Sequence, residues 1–445
     1  MRFQILKRML AIAGVAIAIL LPISMIKGKI AERQARAEAV VAQFAAETSG
    51  AQVIAGPFLA LSCEESVVQE RQVLRAGKAD TVREPVMRAC ETAYFSPRTF
   101  AATASAPVES LHRGLYAIRL YHADISMQGE LDWPDAPSTD GALTREWKQA
   151  YLVTYVADPR GIKSLSSATP AAKAPASDMP AVERFAIREP LGAWSTRKAG
   201  SLLPFAYRMA LTGTSSLGIA PVGNANDIRL ASNWPHPSFG ASWSPDERRI
   251  GADGFEARWR MAGEATGGES AWRKRLSKSP LAMPDAGVTL YDPVNIYTLS
   301  YRATEYAFLF VLFTFTALAL AEVLVGIRIH AMQYALVGCA LAVFFLLLLA
   351  LSEHFPFAIS YGAAAGACVA LLTFYLRHPL GTFTRTSVFF TLFVALYGAL
   401  YELLQSEDNA LLMGSVLTFL VLAFAMIATR KVDWGGFSLS RREPA

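Results

Sequence analysis

Few residues in the sequence have the types and spacing that a catalytic or metal-binding site needs. The six histidines do not recur at a metal-ligand spacing, and His122 with Asp124 on one predicted strand would supply half a zinc site at best. Ser195 and Lys198 fit the Ser-x-x-Lys pattern of acyl-enzymes, but so short a pattern recurs by chance and no partner motif follows. No nucleophile elbow, P-loop or dinucleotide-binding glycine pattern occurs. The sequence therefore predicts no catalytic residue, no metal, no cofactor and no enzymatic activity.

Carboxylates that fall within long apolar segments are the more informative titratable groups. Glu322 and Glu402 lie near the ends of two such segments, and a charge at the centre of a bilayer would cost at least ~2.5 kcal/mol. Snorkelling to the interface is one interpretation of both. The other is that Glu322 is a functional intramembrane carboxylate and that a polar cluster at the outer membrane surface either clamps the outer domain to the helices or responds to pH through its histidine. The predicted members of this cluster are Arg302, Glu353, His354, Glu402 and Asp408.

Composition separates a membrane part from a soluble part. The 445 residues include 42 Lys and Arg against 37 Asp and Glu, and 53% of them are hydrophobic. Residues 303–430 hold only four Arg, five Glu and one Asp. Five apolar segments there, long enough to cross a ~30 Å hydrocarbon core as helices, are 307–325, 332–351, 357–375, 387–404 and 410–429. A sixth segment, 9–26, is longer than the apolar region of a signal peptide and predicts an uncleaved anchor.

The short connections orient these six predicted spans. Connections after the second, fourth and sixth spans are basic, and the alternate ones are acidic. The basic residues are Arg328, Arg377, Arg385, Arg430 and Lys431, and the acidic ones are Glu353, Glu407 and Asp408. Because basic loops face the cytoplasm, both termini are predicted to be cytoplasmic and residues 27 to about 302 to lie outside. The first span departs from this rule, since Lys27, Lys29, Arg33 and Arg36 flank it on its outer side.

The outer part is predicted to be β-rich and sandwich-like. Residues 31–46 continue the anchor as a polar helix that stops near Gly50, and a period of two follows. Predicted strands are 115–121, 151–156, 205–211, 228–230 and 255–259. Residues 164–180 look like an exposed loop, and 262–284 look like a basic linker to the bilayer. The predicted domains are an anchor (1–26), a helical extension (27–50), an all-β domain with its return linker (51–302), a five-helix bundle (303–430) and a tail (431–445).

Two cysteines lie in the part predicted to be outside, where disulfides form. Residues 59–63 and 90–95 look like two strands that flank a polar segment, so a cross-strand disulfide between Cys63 and Cys90 is predicted. Cys339 and Cys368 fall in the middle of predicted spans and are expected to be small packing residues. No basic run is interleaved with aromatic residues, so nucleic acid is not expected as a partner.

Several sequence blocks occur in a recognisable order. They include Arg113-Gly114-Leu115-Tyr116, Asp158-Pro159-Arg160-Gly161-Ile162, Trp234-Pro235-His236-Pro237-Ser238-Phe239, His330 with Gln333 and Tyr334, Leu351-Ser352-Glu353-His354, and Leu396-Tyr397-Gly398-Ala399-Leu400-Tyr401. Together they resemble the CreD-type family of inner membrane proteins, which is associated with cell-envelope integrity. The resemblance implies a bacterial inner membrane protein whose large domain is periplasmic. Glu305 stands where that family usually has a basic residue.

Two of these blocks contain proline and predict rigid turns that present side chains. The block that contains Trp234, His236 and Phe239 cannot be an ordinary central strand, because its prolines remove hydrogen-bond donors. Its aromatic side chains either plug the sandwich or form a binding surface for an envelope component. Asp158 is expected to cap a tight turn from which Arg160 reaches an anion or the membrane surface.

Residues and resemblance together predict a non-enzymatic inner membrane protein that acts in envelope integrity or the envelope stress response. The lipid bilayer, with other envelope proteins or lipids, is the expected partner. The alternative is a transporter, or a protein that handles lipids or envelope components with its helix bundle. Pro356 and the small residues 362–366 hint at broken or mobile helices, but small residues also permit close helix packing.

Overall fold

The computed structural model describes residues 2–75, 78–135, 144–167, 181–183, 185–240, 242–268, 272, 284–290, 295–325, 327, 329–406 and 409–430. The chain forms two compact units. Met1–Ala39 and Val294–Ala445 make up one, which we call the helical unit, and Val40–Pro293 make up the other, which we call the β unit.

Helix α1 runs from Arg2 to Glu47 without a break, although it contains Pro22. Its first half is apolar, and the later part is rich in Ala and Glu, which favour helix in water. The predicted anchor and the predicted helical extension are therefore one helix.

Six further helices are described in the rest of the helical unit. They are α2 (Ile296–Glu305), α3 (Ala307–Val325), α4 (Ala331–Ser352), α5 (Phe357–Leu380), α6 (Phe383–Gln405) and α7 (Ala410–Thr429). Helix α1 and helices α3 to α7 are long and apolar enough to cross a membrane, which confirms the six predicted spans. The short helix α2 begins at Asn295, whose side chain accepts hydrogen bonds from the backbone N–H groups of Tyr297 and Thr298.

Packing inside the helical unit relies on aromatic side chains and on one close approach. The ring of Phe344 lies 4.8 Å from that of Tyr397 and 5.6 Å from that of Tyr361, joining α4 to α6 and α5. Helix α1 seats Ile19 against Gly338 of α4, where a Cβ would come within 1.7 Å of the Ile19 Cδ1 atom. Gly338 thus makes room for α1.

The β unit contains two sheets, which confirms the predicted all-β class. In the described residues the first sheet follows the order β14 (Pro237–Ser238), β17 (Ala286–Leu290), β12 (Ser216–Ile219), β1 (Gln52–Arg75), β7 (Thr144–Val156), β10 (Ala186–Ala193) and β9 (Ala181–Glu183), with β2 (Lys78–Ala89) and β3 (Ala93–Phe95) paired to β1. The second follows β15 (Glu247–Gly251), β16 (Gly254–Ala262), β13 (Ala225–Ser232), β4 (Thr99–Ser105), β6 (Tyr116–Asp132), β11 (Leu202–Thr214) and β8 (Ile162–Ser167), with β5 (Val108–Arg113) paired to β6.

One continuous apolar core lies within the β unit. Alternate residues of its strands point inward, as in β4, where Phe100, Ala102 and Ala104 are buried and their neighbours are not. Trp133 and Trp259 are completely buried in the same core. This alternation is the pattern from which the strands were predicted.

Three sequence expectations about the β unit need correction. The polar segment between Cys63 and Cys90 is a long antiparallel ribbon of β1 and β2, and the strand predicted at 90–95 begins only at Ala93. Residues 164–167 belong to β8 rather than to a loop, and 168–180 lie outside the described residues. In the predicted linker 262–284, Trp272 is buried in the core, whereas Arg273, Lys274, Arg275 and Lys278 lie outside the described residues.

Candidate functional site

Glu353 is the member of the predicted polar cluster with the most defined surroundings. It follows α4, and its side chain is only 10% exposed. The Tyr297 hydroxyl lies 3.5 Å from its Oε1 atom, and Nε of Arg33 lies 3.7 Å from the same oxygen. Glu353 thus links α1 and α2 to the end of α4.

The remaining predicted members do not assemble around it. Arg302 donates from Nη2 to the backbone carbonyl of Ser406 at 3.3 Å, at the end of α6. His354 and Glu402 are exposed, and within the described residues no hydrogen bond or ion pair joins them to each other or to Glu353. Asp408 lies outside the described residues. Among the described residues, Glu353 and Arg302 therefore make separate contacts, and the cluster that includes Asp408 stays a prediction.

A second ion pair, which the sequence did not predict, lies between α1 and α2. Lys27 binds Glu305, and its ammonium group also lies 4.8 Å from the ring centroid of Tyr301. The departure of Lys27 and Arg33 from the positive-inside pattern was the one sequence signal for these contacts. Both residues face carboxylates of the helical unit, Lys27 at Glu305 and Arg33 at Glu353.

Glu322, the candidate intramembrane carboxylate, turns toward the connection between α3 and α4. Its Oε1 accepts a hydrogen bond from the backbone N–H of Ile329 at 2.6 Å, and the Tyr334 hydroxyl lies 3.4 Å from its Oε2. Tyr334 is completely buried. The carboxylate therefore satisfies a loop donor that lipid could not satisfy. This geometry differs from simple snorkelling to the interface.

The aromatic residues of the proline-rich block split between core and surface. Phe239 packs inward, with its ring 5.6 Å from that of Phe255 and 6.0 Å from that of Trp259. Trp234 is half-buried, and the guanidinium of Arg119 lies 4.8 Å from its ring centroid. His236 is exposed. Trp234 and Phe239, both half-buried, thus pack against the core of the β unit, and His236 remains at the surface.

The turn that contains Arg160 receives the end of α1 within the β unit. Arg160 donates from Nη1 to the carbonyl of Ala46, and Asp158 accepts from Nη2 of Arg160 at 2.6 Å. Asp158 also caps the turn by accepting from the backbone N–H of Arg160 at 3.2 Å, as predicted, and from that of Gly50 at 3.2 Å. The guanidinium expected to reach an anion instead satisfies carbonyls at a helix C-terminus.

Electrostatics and steric fit both fix this turn. The Arg160 guanidinium lowers the pKa of the Asp158 carboxyl below its usual value, and the backbone N–H groups of Gly50 and Arg160 lower it further. Gly161 is buried beside it, where a Cβ would lie 2.3 Å from the carbonyl oxygen of Thr212 and 2.6 Å from Nε2 of Gln52. Hydrogen bonds of Asp158 and Arg160 therefore hold the segment after α1, and the close packing at this turn requires glycine at position 161.

The two cysteines predicted to pair lie at the base of the β1–β2 ribbon. Their Cα atoms are 5.4 Å apart, within the range that a disulfide requires. Two residues along, Glu65 is buried and accepts from Arg145 at 2.7 Å and from Arg88 at 2.8 Å. Arg145 first, and Arg88 second, lower the pKa of that carboxyl. Glu65 thus joins β1 to β2 and β7 at the base of the ribbon.

The residues first considered for chemistry are not brought together. Nε2 of His122 lies 3.5 Å from a carboxylate oxygen of Glu109 on the neighbouring strand β5. Over the described ranges, no three His, Cys, Asp or Glu side chains are grouped so that they could hold a metal ion. Ser195 lies in a short 3-10 turn, Trp194–Thr196, rather than in a cleft with a base.

Comparisons with known proteins extend over both units. The family model described as inner membrane protein CreD matches residues 4–435. The inner membrane protein CreD of Escherichia coli strain K12 is 30% identical over 455 aligned positions, which cover 98% of this chain and 94% of that protein. The similarity therefore includes the β unit as well as the spans.

Proposed function

The chain belongs to the CreD family of inner membrane proteins, and from that premise we propose that it acts in cell-envelope integrity or the envelope stress response. The match along nearly the whole chain carries this proposal, because it includes the large β unit that would meet the envelope. The proposed role is non-enzymatic, which rests on the lack of a catalytic motif in the sequence.

In the proposed topology both termini are cytoplasmic and the β unit is periplasmic. The alternation of basic and acidic connections supports it. The basic flank of α1 is the exception to this pattern, and two of its residues, Lys27 and Arg33, face Glu305 and Glu353 within the same unit.

Reporter fusions test the orientation of the loops. Alkaline phosphatase, which is active only outside the cytoplasm, is expected to be active when fused after Phe355 and inactive when fused after Gly381. Both positions are described ends of spans, at α4 and α5 respectively. The opposite pattern of activity would show that the topology is inverted.

Loss of the gene tests the envelope role. Cells that lack the protein are expected to leak a periplasmic enzyme and to grow poorly on detergent, and the wild-type chain should restore both. A Gly161→Ala chain should restore them poorly, because that change disrupts the β unit, whereas Gly366→Ala, in open space on α5, should restore them fully. Deletion cells that match wild type under envelope stress would remove the basis of the proposal.

Transport remains the second candidate, and the described helices give it little support. Transport sites near the membrane midplane are commonly built from helices that are broken there. In the described residues each of α3 to α7 is continuous, and Pro379 lies in the last turn of α5. The observed spans resemble a packed bundle more than a set of half-helices.

A further inference from the structure

A cavity of about 230 Å³ lies between three helices of the helical unit. Its walls come from the middle of α3, α6 and α7. The lining residues are Phe313, Thr314, Thr316, Ala317, Leu320, Leu392, Phe393, Leu396, Leu420, Val421 and Phe424. The cavity is therefore almost entirely apolar, with three aromatic rings and two hydroxyl groups.

Thr314 distinguishes this cavity from an ordinary packing defect. Its side chain is 1% exposed, and within the described residues its Oγ1 atom has no hydrogen-bond partner. A buried hydroxyl without a partner costs about 1–3 kcal/mol. The carbonyl of Phe310, four residues earlier, is the acceptor that a helical threonine ordinarily uses.

Four other threonines of the spans use that ordinary acceptor, whereas Thr373 of α5 has no partner within the described residues. The donors and their acceptors are Thr386 to Thr382 at 3.1 Å, Thr391 to Ser387 at 3.0 Å, Thr418 to Gly414 at 2.8 Å and Thr429 to Ala425 at 2.7 Å. Thr314 has the same option and does not use it. Its hydroxyl is instead available to an acceptor in the cavity that it lines.

Helix α7, which forms the third wall of the cavity, gives membrane-soluble molecules a route into it. Helix α7 has no fully buried large apolar side chain among its described residues, and Leu420 and Phe424 are 58% and 65% exposed. A helix that packs this lightly can separate from α3 at small cost. The occupant would therefore enter from the hydrocarbon rather than from water.

The depth of Thr314 in the hydrocarbon region limits which class of lipid could reach its hydroxyl. Thr314 lies seven residues into α3, roughly 10 Å of helix rise from the end of that span. The ester carbonyls of phospholipids stay at the edge of the hydrocarbon region, so they would not reach the hydroxyl. An apolar ring that carries its own carbonyl can dissolve at that depth and accept the hydrogen bond.

Size agrees with one such ring. A cavity of about 150 Å³ binds benzene in an engineered protein, so a somewhat larger cavity holds a substituted six-membered ring. Phe313 and Phe393 offer aromatic surface, and Ala317 leaves space beside them. We propose that the cavity between α3, α6 and α7 binds the ring of an isoprenoid quinone, with Thr314 donating to a ring carbonyl. The proposal concerns binding alone and is independent of the envelope role.

Photolabelling of the full chain in lipid nanodiscs tests the site. The probe is a photoreactive azido-quinone, competed by decylubiquinone, with labelled peptides mapped by mass spectrometry. Labelling is expected within 313–320 or 420–424, and Thr314→Val should weaken decylubiquinone competition about tenfold. The matched control is Thr418→Val, which makes the same chemical change at a hydroxyl that already has an acceptor.

Substitutions that fill the cavity provide a second, independent test of the binding site. Ala317→Phe should abolish the labelling, whereas Ala370→Phe, the same change on the exposed face of α5, should leave it unchanged. Persistent labelling of Ala317→Phe, or equal binding by Thr314→Val, would overturn the proposal. Displacement by oleic acid as effective as by decylubiquinone would also overturn it, because the cavity would then be an acyl-chain site.

Discussion

Each unit contains a glycine at which another segment of the chain packs too closely for a Cβ atom. The two glycines differ in which atoms approach them. At Gly338 of the helical unit, the nearest atom to an added Cβ would be the terminal methyl of Ile19, at 1.7 Å. At Gly161 of the β unit, it would be the backbone carbonyl oxygen of Thr212, at 2.3 Å. A side-chain tip can change rotamer, whereas a strand carbonyl cannot move without its sheet.

The difference reflects the two solvents in which the units fold. Lipid provides no hydrophobic force between helices, so a helical unit relies on close packing of small and large side chains. The β unit buries polar groups, which must then be satisfied within the protein, as the buried amide of Gln52 is by the backbone N–H and carbonyl of Asp158. We therefore expect substitutions at the β-unit contact to cost more than equivalent substitutions in the helical unit.

The largest effect is expected from Gly161→Ala. The added methyl would force apart Thr212 and Gln52, which should lower the free energy of unfolding of the β unit by about 3 kcal/mol. Seven of the eight tryptophans lie in residues 40–293, so tryptophan fluorescence during thermal unfolding of the full chain reports on this unit. Gly338→Ala is the matched comparison and should shift unfolding by about 1 kcal/mol or less, read by helical circular dichroism. Equal losses at the two glycines would contradict the comparison.

Removal of the two cysteines at the base of the β1–β2 ribbon should have the next largest effect on stability. If Cys63 and Cys90 form the predicted disulfide, the double substitution to Ser should destabilise the β unit by about 2 kcal/mol, because the unfolded chain loses a constraint. Cys339→Ser, in the helical unit, should leave the fluorescence transition in place. Alkylation of the denatured protein without reductant is the direct check, and reaction of both Cys63 and Cys90 would show that the disulfide is absent.

Removal of the Asp158 carboxylate should cost less and depend on pH. Asp158→Ala leaves the N–H groups of Gly50 and Arg160 without this acceptor, a loss of about 1–2 kcal/mol at neutral pH. Because the folded-state pKa is lowered, the stabilisation is present above the unfolded pKa of about 4 and is lost as the pH falls through the lower folded value. Exposed Asp124→Ala serves as the control. A difference between wild type and Asp158→Ala that does not shrink as the pH falls from neutral into the acid range would refute this assignment.

The smallest effect is expected at the ion pair of α1. Lys27 and Glu305 are 35% and 50% exposed, so Lys27→Gln or Glu305→Gln should change the stability of the helical unit by less than about 1 kcal/mol. The charge-reversed pair Lys27→Glu with Glu305→Lys should recover most of that loss, as measured by helical circular dichroism. If the doubly reversed variant were no more stable than the variants with a single charge reversal, the contact would contribute no pairing energy.

Periodicity in the sequence predicted the six spans and parts of β6, β7, β11, β13 and β16. The segment predicted at 307–325 is α3, and the strand predicted at 151–156 is the buried end of β7. The ribbon was missed because both of its faces are exposed near Val68 and Val86, so no alternation of polar and apolar residues marks it. Trp272 was assigned to a linker because basic residues surround it in the sequence, although its ring packs near Phe58.

The candidate sites were harder to predict than the elements. The capping role of Asp158 followed from local turn chemistry, which needs only the neighbouring residues. Lys27 and Glu305 are 278 residues apart, and nothing in a basic helix flank specifies which carboxylate it will meet. The unpartnered hydroxyl of Thr314 likewise depends on a rotamer and on three helices, which no spacing in the sequence encodes.

Side-specific labelling tests the proposed arrangement most directly. His236 is exposed on the β unit, so His236→Cys in a chain whose four native cysteines are replaced by Ala provides one reporter thiol. Intact cells would be treated with a maleimide that enters the periplasm but does not cross the inner membrane. Our account predicts full labelling of Cys at this position before the inner membrane is opened. Labelling that appears only after lysis would place the β unit in the cytoplasm and contradict the account.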